Sequence, residues 1–479
     1  KVSFNSSNEK YAGAVNIQEG TVAVTANKAL GTGTVTVAGE GTLEIGVGGN
    51  ITDILGETMP VVNGGTLAFT SGVEVTLNKI LDSGTGANLE VTGEGTTLNL
   101  LNDNPQRNIV STYVGTGSIL SITATNTMNT LLSGSLTVNG GSLNTDGDSF
   151  GYTGATLGSL TLQNGAVWTL TGTKHNTLNT LNLTMDASSV LVNTSGNGFY
   201  VLNGSHRINT LSSASGMSVF TSNGEFNNNK MTISGATAFN IARGNFALDD
   251  TSTADLKIDV IVQGGSNITK TGDGVLQLTR ANTYSGQTLL KEGTLLLTGA
   301  ATLGNGAGAV TLGGNGDAFL TFAVDGDRTV GNAIGGTGTF TQKGSGIVTL
   351  GGANTYTGIT SVEAGTLKAG SATAFGTSSV SLSSGATLDI GDYALGNAVA
   401  VKAGASGALS TASIISNGGT LGSLTLGSYS RLNVDGSMAL ASGAALTFDM
   451  TGLTAGDNAL VTLTGGLTVS GTHNLTLSN

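Results

Sequence analysis

Catalysis needs a nucleophile, acid or base held beside its partners, and several stretches of this sequence offer suitable residue types. Gly147-Asp148-Ser149-Phe150 sets a serine behind a Gly-Asp pair, as an esterase nucleophile block does. Such a serine works only with a histidine and an aspartate converging on it, on an α/β scaffold. No part of the chain alternates helix and strand patterns, so the four residues read as a Gly-Asp corner. The histidines, His175, His206 and His473, lie far apart and read as surface residues, since zinc needs convergent ligands. Asp249, Asp250, Asp255 and Asp259 have oxygens for Ca²⁺, but their spacing fits no EF-hand loop. Gly313-Gly314-Asn315-Gly316-Asp317 is half of a calcium-binding nonapeptide without its tandem partner. Corner capping is the expected role of both acidic stretches. No catalytic residue, metal or cofactor is expected. A polysaccharide-degrading enzyme, the alternative, needs clustered carboxylates in a cleft, and the acids here are scattered.

Binding chemistry is better represented. Between residues 195 and 260 aromatic and basic residues are denser than elsewhere. Exposed tyrosine and arginine make strong interface anchors. Tyr200, His206, Arg207, Lys230 and Arg243 are the candidate contact residues, with the arginines and lysine suited to sulfated glycans or acidic protein surfaces. The competing expectation is that the phenylalanines of this zone, among them Phe220 and Phe239, fill core and the charges are solvated.

These residues must be positioned by something, and composition narrows what. The chain has 479 residues, with 77 glycines, 2 prolines and no cysteine. Disulfides and thiolate metal sites are excluded. Charged residues are 10%, far below the usual quarter. Alternating Val, Leu and Ile nevertheless persist throughout, which argues against disorder. A net charge of −12 opposes nucleic-acid and anionic-membrane binding. No run of eighteen apolar residues exists, so no membrane-spanning helix is expected. Lys1-Val2-Ser3-Phe4 reads as the start of a mature or excised fragment rather than a signal peptide. The last strand pattern has no cap, which predicts a longer native polypeptide.

The scaffold itself is written as a repeat. Residues 281–304 read ANTYSGQTLLKEGTLLLTGAATLG and residues 353–376 read ANTYTGITSVEAGTLKAGSATAFG, aligned from end to end without a gap. Residues 11–31 give a third copy headed by Tyr11, although the preceding Asn8-Glu9-Lys10 departs from Asn-Thr. In each, apolar residues alternate, a glycine follows (Gly20, Gly293, Gly365), and a second alternating run begins. Period two means strand with one face buried, and the shared glycine marks a corner. Strands this short bury a core only by stacking on neighbouring coils at about 4.8 Å. The expected fold is all-β: a right-handed parallel β-helix of three-stranded coils, an elongated solenoid. The spacing from Ala281 to Ala353 is then three coils of about 24 residues. Aliphatic stacks are expected to suit its narrow interior better than large rings. One domain over residues 1–479 is expected, with irregular or loop-bearing coils around 100–113 and 195–260. The polar stretch Asn102-Asp103-Asn104-Pro105-Gln106-Arg107-Asn108 is expected to project, since Pro105 bars a central strand.

The segments GDGVLQLTRANTYSGQTLLKEGTL at 272–295 and GSGIVTLGGANTYTGITSVEAGTL at 344–367 resemble the autotransporter-associated β-strand repeat. The closing stretch LTFDMTGLTAGDNALVTLTGGLTVSG is similar to the segment that passenger domains of bacterial type V autotransporters carry before their autochaperone region. The resemblance covers the two ends of the chain well and residues 51–265 only in general style. It implies a β-helical passenger exported to the cell surface of a Gram-negative bacterium, attached in the full-length protein to an outer-membrane β-barrel that this sequence lacks. It further implies an AIDA-type adhesin that binds host extracellular-matrix proteins or glycans, or another copy of itself in aggregation and biofilm. A self-associating protein with no host receptor is the nearest alternative.

Overall fold

Period-two patterning becomes parallel strands stacked as a β-solenoid, as a computed structural model of the chain shows. The structure describes residues 1–479 apart from 57–59, 78–85, 102–108, 124–131, 133, 147–156, 172–175, 179–181, 187, 195–199, 203–205, 212–215, 223–229, 245–253, 405–408, 451–459, 470–473 and 479. The polar loop at 102–108 and the Gly-Asp-Ser-Phe block at 147–150 lie outside the described residues. Two compact units are present. One comprises Lys1–Leu248 with Asp255–Ile261, the other Asp249–Ala254 with Val262–Asn479.

In the first unit each coil places its next strand in register on the last. One sheet stacks Thr66–Phe69, Ala87–Val91, Ile109–Val114, Ser135–Asn139, Ser159–Gln163, Asn182–Met185, His206–Thr210 and Thr237–Ile241. Register aligns Leu67, Leu89, Thr112, Leu136, Leu160, Leu183, Ile208 and Phe239 in one inward column. Every member is buried. A second sheet stacks Val75, Leu98, Leu120, Leu143, Trp168, Leu191 and Phe220 in the same manner. Residues on one face are two apart, so the other residues of the strands point outward and, Ala68 apart, are mostly polar or half-exposed. Burying one such leucine contributes about 1.5–3 kcal/mol, so the inward columns outweigh any outward pairing. The step from Ile208 to Phe239 takes more chain than the step from Leu136 to Leu160. Helix is confined, among the described residues, to Ile51–Leu55, whose Ile51, Ile54 and Leu55 turn inward at helical spacing.

Large rings are not excluded from the interior. Trp168 is buried, and its indole N–H donates to the Thr145 hydroxyl at 2.9 Å, which accounts for a threonine inside. In the second unit Phe322, Phe340 and Tyr356 form a run of buried rings, 5.5 Å and 6.4 Å between successive centroids. Phe340 pairs with Leu320 and Phe322 with Gln342, so the two rings meet diagonally across neighbouring coils.

The repeat does not equal a whole number of coils. Ile268 pairs with Thr288, Thr288 with Val310, and Val310 with Ile334, three coils on one sheet. The residue matching Ile268 in the next copy is Phe340, which lies beyond Ile334 and pairs with Leu320 and Thr360 on the adjacent sheet. The expected equal coils are therefore unequal. Each takes more chain than the one before, and the residues left over carry the chain round one more corner. Successive copies thus present the same motif on successive faces.

What the copies share is corner geometry. Gly293 and Gly365 have φ of +71° and +62°, where side chains are strained. A Cβ on Gly293 would collide with the Gly272 carbonyl, and one on Gly365 with that of Gly344. These carbonyls turn inward and need donors. Lys270, 1% exposed, supplies its ammonium to the carbonyls of Thr271, Gly272 and Glu292 at 3.1, 2.6 and 3.0 Å. At the matching position Gln342 donates its amide to Gly344 and Gly346 at 2.9 and 3.0 Å.

Packing and corner geometry can each be tested by substitution. The hydroxyl of Thr112 is buried without a partner, between Leu89 and Leu136 of its column. Thr112→Val should therefore raise stability by about 1 kcal/mol in urea denaturation; a lower midpoint would contradict this. Gly293→Val should cost more than about 3 kcal/mol, from strain together with the carbonyl clash. Thr294→Val, half-exposed beside it, should stay within about 0.5 kcal/mol of wild type. Equal melting temperatures for the two variants would refute the corner argument.

Candidate functional site

The residues singled out for contact divide between two sheets. Tyr200 opens the strand Tyr200–Leu202 and pairs with Met231, next to Lys230 at the head of Lys230–Ile233. Lys230 is half-buried. His206 and Arg207 open His206–Thr210 on the other sheet, where His206 pairs with Thr237 and Arg207 lies between Asn182 and Ala238. The side chains of Tyr200 and His206 lie outside the described residues; Arg207 is exposed. Beside Arg207 runs an asparagine ladder. Asn209 donates to Asn182 at 3.1 Å, and Asn240 donates to Asn209 at 3.5 Å.

Arg243 is differently employed. Its Nη1 lies 3.1 Å from Oδ2 of Asp255, and the two side chains are 14% and 2% exposed. Asp255 also accepts from the Gly244 N–H at 2.6 Å. The pair ties down a corner, so Arg243 is spent on structure and Asp255 is one of the expected corner caps. Lys257 lies 3.8 Å from Asp259. Phe220 and Phe239 are buried, as core filling requires. Asp249, Asp250, His175 and His473 lie outside the described residues. Among the described residues no three His, Asp or Glu side chains converge as metal ligands.

The second unit holds a constellation that sequence reading passed over. Asn282 is buried; its Oδ1 accepts the Val262 N–H at 2.9 Å and its Nδ2 donates to the Thr302 carbonyl at 3.0 Å. Asn354 makes the same pair of bonds to Ile334 and Ala374, at 2.9 and 2.6 Å. Two residues on, the Tyr284 and Tyr356 hydroxyls meet Thr288 and Thr360 at 2.7 and 2.6 Å inside the core. Tyr11, which heads the first copy, is 42% exposed and has Val15 where the others have threonine. Beside the Asn282 corner lies a pocket of about 400 Å³, walled by Thr283, Asn305, Phe322, Arg328, Thr329 and Asn332 among others. The overlooked residue is Arg328. Its signal was present in the sequence: residues 326–334 read GDRTVGNAI and residues 391–399 read GDYALGNAV, so the arginine stands where a tyrosine stands later.

The repeat identified from sequence is also a recognised one. The passenger-associated-transport-repeat matches residues 268–297 and 340–369, the segments whose corners are described above. At these repeats the chain is similar to autotransporter passenger domains. The chain is also 36% identical over 129 residues to a protein named adhesin BmaC autotransporter, from Brucella suis biovar 1 (strain 1330). That match takes in 24% of the chain and 4% of the length of the relative. No solved structure matches the chain.

Burial pushes the Tyr284 phenol up to about 12, with the Thr288 hydrogen bond partly opposing the rise. Burial raises Tyr356 in the same sense against its bond to Thr360. The folded chain thus keeps these protons while the unfolded chain releases them from about pH 10. Their contribution is complete below pH 10 and is lost as pH rises from there toward the folded values, at about 1.4 kcal/mol per pH unit for each tyrosine. Tyr284→Phe should be less stable than wild type by about 1 kcal/mol at pH 9, and the gap should close by about pH 11 and reverse toward pH 12. Parallel stability curves for the two proteins across that range would rule this out.

Proposed function

We propose that this passenger is a cell-surface adhesin of a Gram-negative bacterium, joined in its full-length protein to an outer-membrane β-barrel. It is displayed at the surface or released from it, and it binds host matrix proteins or glycans without chemical turnover. The observation that carries the reading is the passenger repeat itself together with a relative that is named an adhesin. The outward chemistry agrees with it. Arg207 is exposed beside the ladder of Asn182, Asn209 and Asn240, a row of amides that offers both donors and acceptors to a polar ligand. Such a row makes many weak contacts, and repetition rather than one deep anchor supplies avidity.

Self-association is the second reading, and one feature favours it. Thr321, Thr341, Ser361, Ser381, Ala400, Thr425, Thr447 and Thr476 pair in sequence to form one outward column of small side chains. A column of hydroxyls suits a like surface lying along it.

An array of matrix proteins and glycans probed with the purified chain tests the first reading. Arg207→Ala should weaken the strongest signal about threefold, the size expected of an exposed charge, and Arg207→Glu should weaken it further. If the wild-type chain binds nothing on the array and displaying cells adhere no better than bare cells, adhesion to a host is wrong. Clumping of the displaying cells in that case would favour the second reading.

A further inference from the structure

We propose that the pocket beside Arg328 is a binding site for a carboxylate-bearing sugar, of the uronic or sialic acid class. The site goes beyond the adhesion reading, since the pocket takes its ligand whether or not the chain attaches cells to a host. Its volume of about 400 Å³ falls within the usual small-ligand range of roughly 300–1,000 Å³.

The structural equivalence of two coils isolates what the arginine adds. Asn332 donates to the carbonyls of Leu303 and Gly308, at 3.0 and 2.6 Å. Asn397, in the later Gly-Asp-Tyr stretch, donates to Phe375, Gly376 and Ser378, the corresponding turn one repeat on. Four residues before each asparagine a longer side chain reaches back one coil. Arg328 donates through Nη2 to the Gly299 carbonyl at 2.7 Å, and Tyr393 donates through its hydroxyl to Gly370 at 3.1 Å. A neutral phenol therefore suffices for the bond between coils. The positive charge is additional to what that architecture needs.

Among the described residues that charge has no counter-ion. The other Arg328 bond runs from Nη1 to the carbonyl of Asp327 at 2.7 Å, and its Nε–H is buried with no acceptor. The nearby carboxylates are engaged elsewhere: Asp327 accepts the Ile347 N–H at 3.3 Å and Asp325 accepts the Ser345 hydroxyl at 2.9 Å. Two carbonyls hold the guanidinium plane, and besides the buried Nε–H one N–H on each Nη remains. A planar carboxylate matches that fork, and a half-buried cation binds it more strongly than a solvated one. The remaining walls select for a sugar ring. Thr283, Asn305 and Thr329 are exposed at the rim, where hydroxyl and amide groups meet a polyol, while Phe322 and Val330 form an apolar floor.

The test is calorimetric titration of the whole chain with glucuronate, glucose, N-acetylaspartate and inorganic phosphate at low salt. Glucuronate should bind saturably and at least tenfold more tightly than each of the other three. Arg328→Tyr borrows the residue that serves the corresponding turn one repeat on, so it should keep the melting temperature and weaken glucuronate at least tenfold. Arg328→Lys should fall between, and Asn305→Ala should weaken glucuronate while leaving the fold intact. Unchanged affinity in Arg328→Tyr, equal binding of glucose, or no saturation at all would overturn the proposal. Equal binding of phosphate or N-acetylaspartate would overturn the sugar class, leaving a general anion site.

Discussion

A chain that winds through short strands must turn a corner every few residues, and at each corner backbone carbonyls point into a dry interior. Burying such a group unpaired costs about 1–3 kcal/mol, so the fold depends on donors delivered from within. Lys270 and Gln342 supply them beneath the glycine corners, and Asn282, Asn354, Asn332 and Asn397 supply them at the wider turns. These side chains are polar, yet all of them are buried. The low overall charge, 10%, thus coexists with an interior that spends polar residues on its own backbone.

The same constraint explains the form of the repeat. Lysine at one copy and glutamine at the next do the same work because the requirement is an N–H donor of the right reach, not a charge. Tyrosine and arginine exchange at the Gly-Asp position for the same reason, each reaching the carbonyl of the coil before it. Where an exchange of this kind introduces a charge that the backbone does not use, chemistry becomes available to a ligand. Arg243 shows the opposite outcome: its charge is met by Asp255 inside the fold.

Surface and interior also divide the adhesive question. Outward residues sit two apart along each strand and recur from coil to coil, so any outward side chain becomes part of a column. The pairing of Asn209 with Asn240 near Arg207 and a column of serines and threonines further on are products of register, not of a binding pocket. Contact surfaces of this kind add small contributions over many coils. The Arg328 pocket interrupts that regularity, at the turn where the middle copy of the repeat carries its extra residues.

Much of this was legible beforehand. Alternation of Val, Leu and Ile with a recurring glycine was enough for parallel strands and corners, because period and φ are local properties of the chain. The core role of Phe220 and Phe239 was also within reach of the pattern. Local reading failed where the answer depended on which coil lies over which. Whether Arg243 was free depended on Asp255, and whether the repeat closed on the same face depended on coils of unequal length. Strands, their inward residues and the glycines between them are thus written in short stretches of chain. The stacking of coils settles the rest: which buried donors meet which carbonyls, and where an arginine is left without a carboxylate. Register is a long-range property, set by packing across coils that no single stretch of sequence contains.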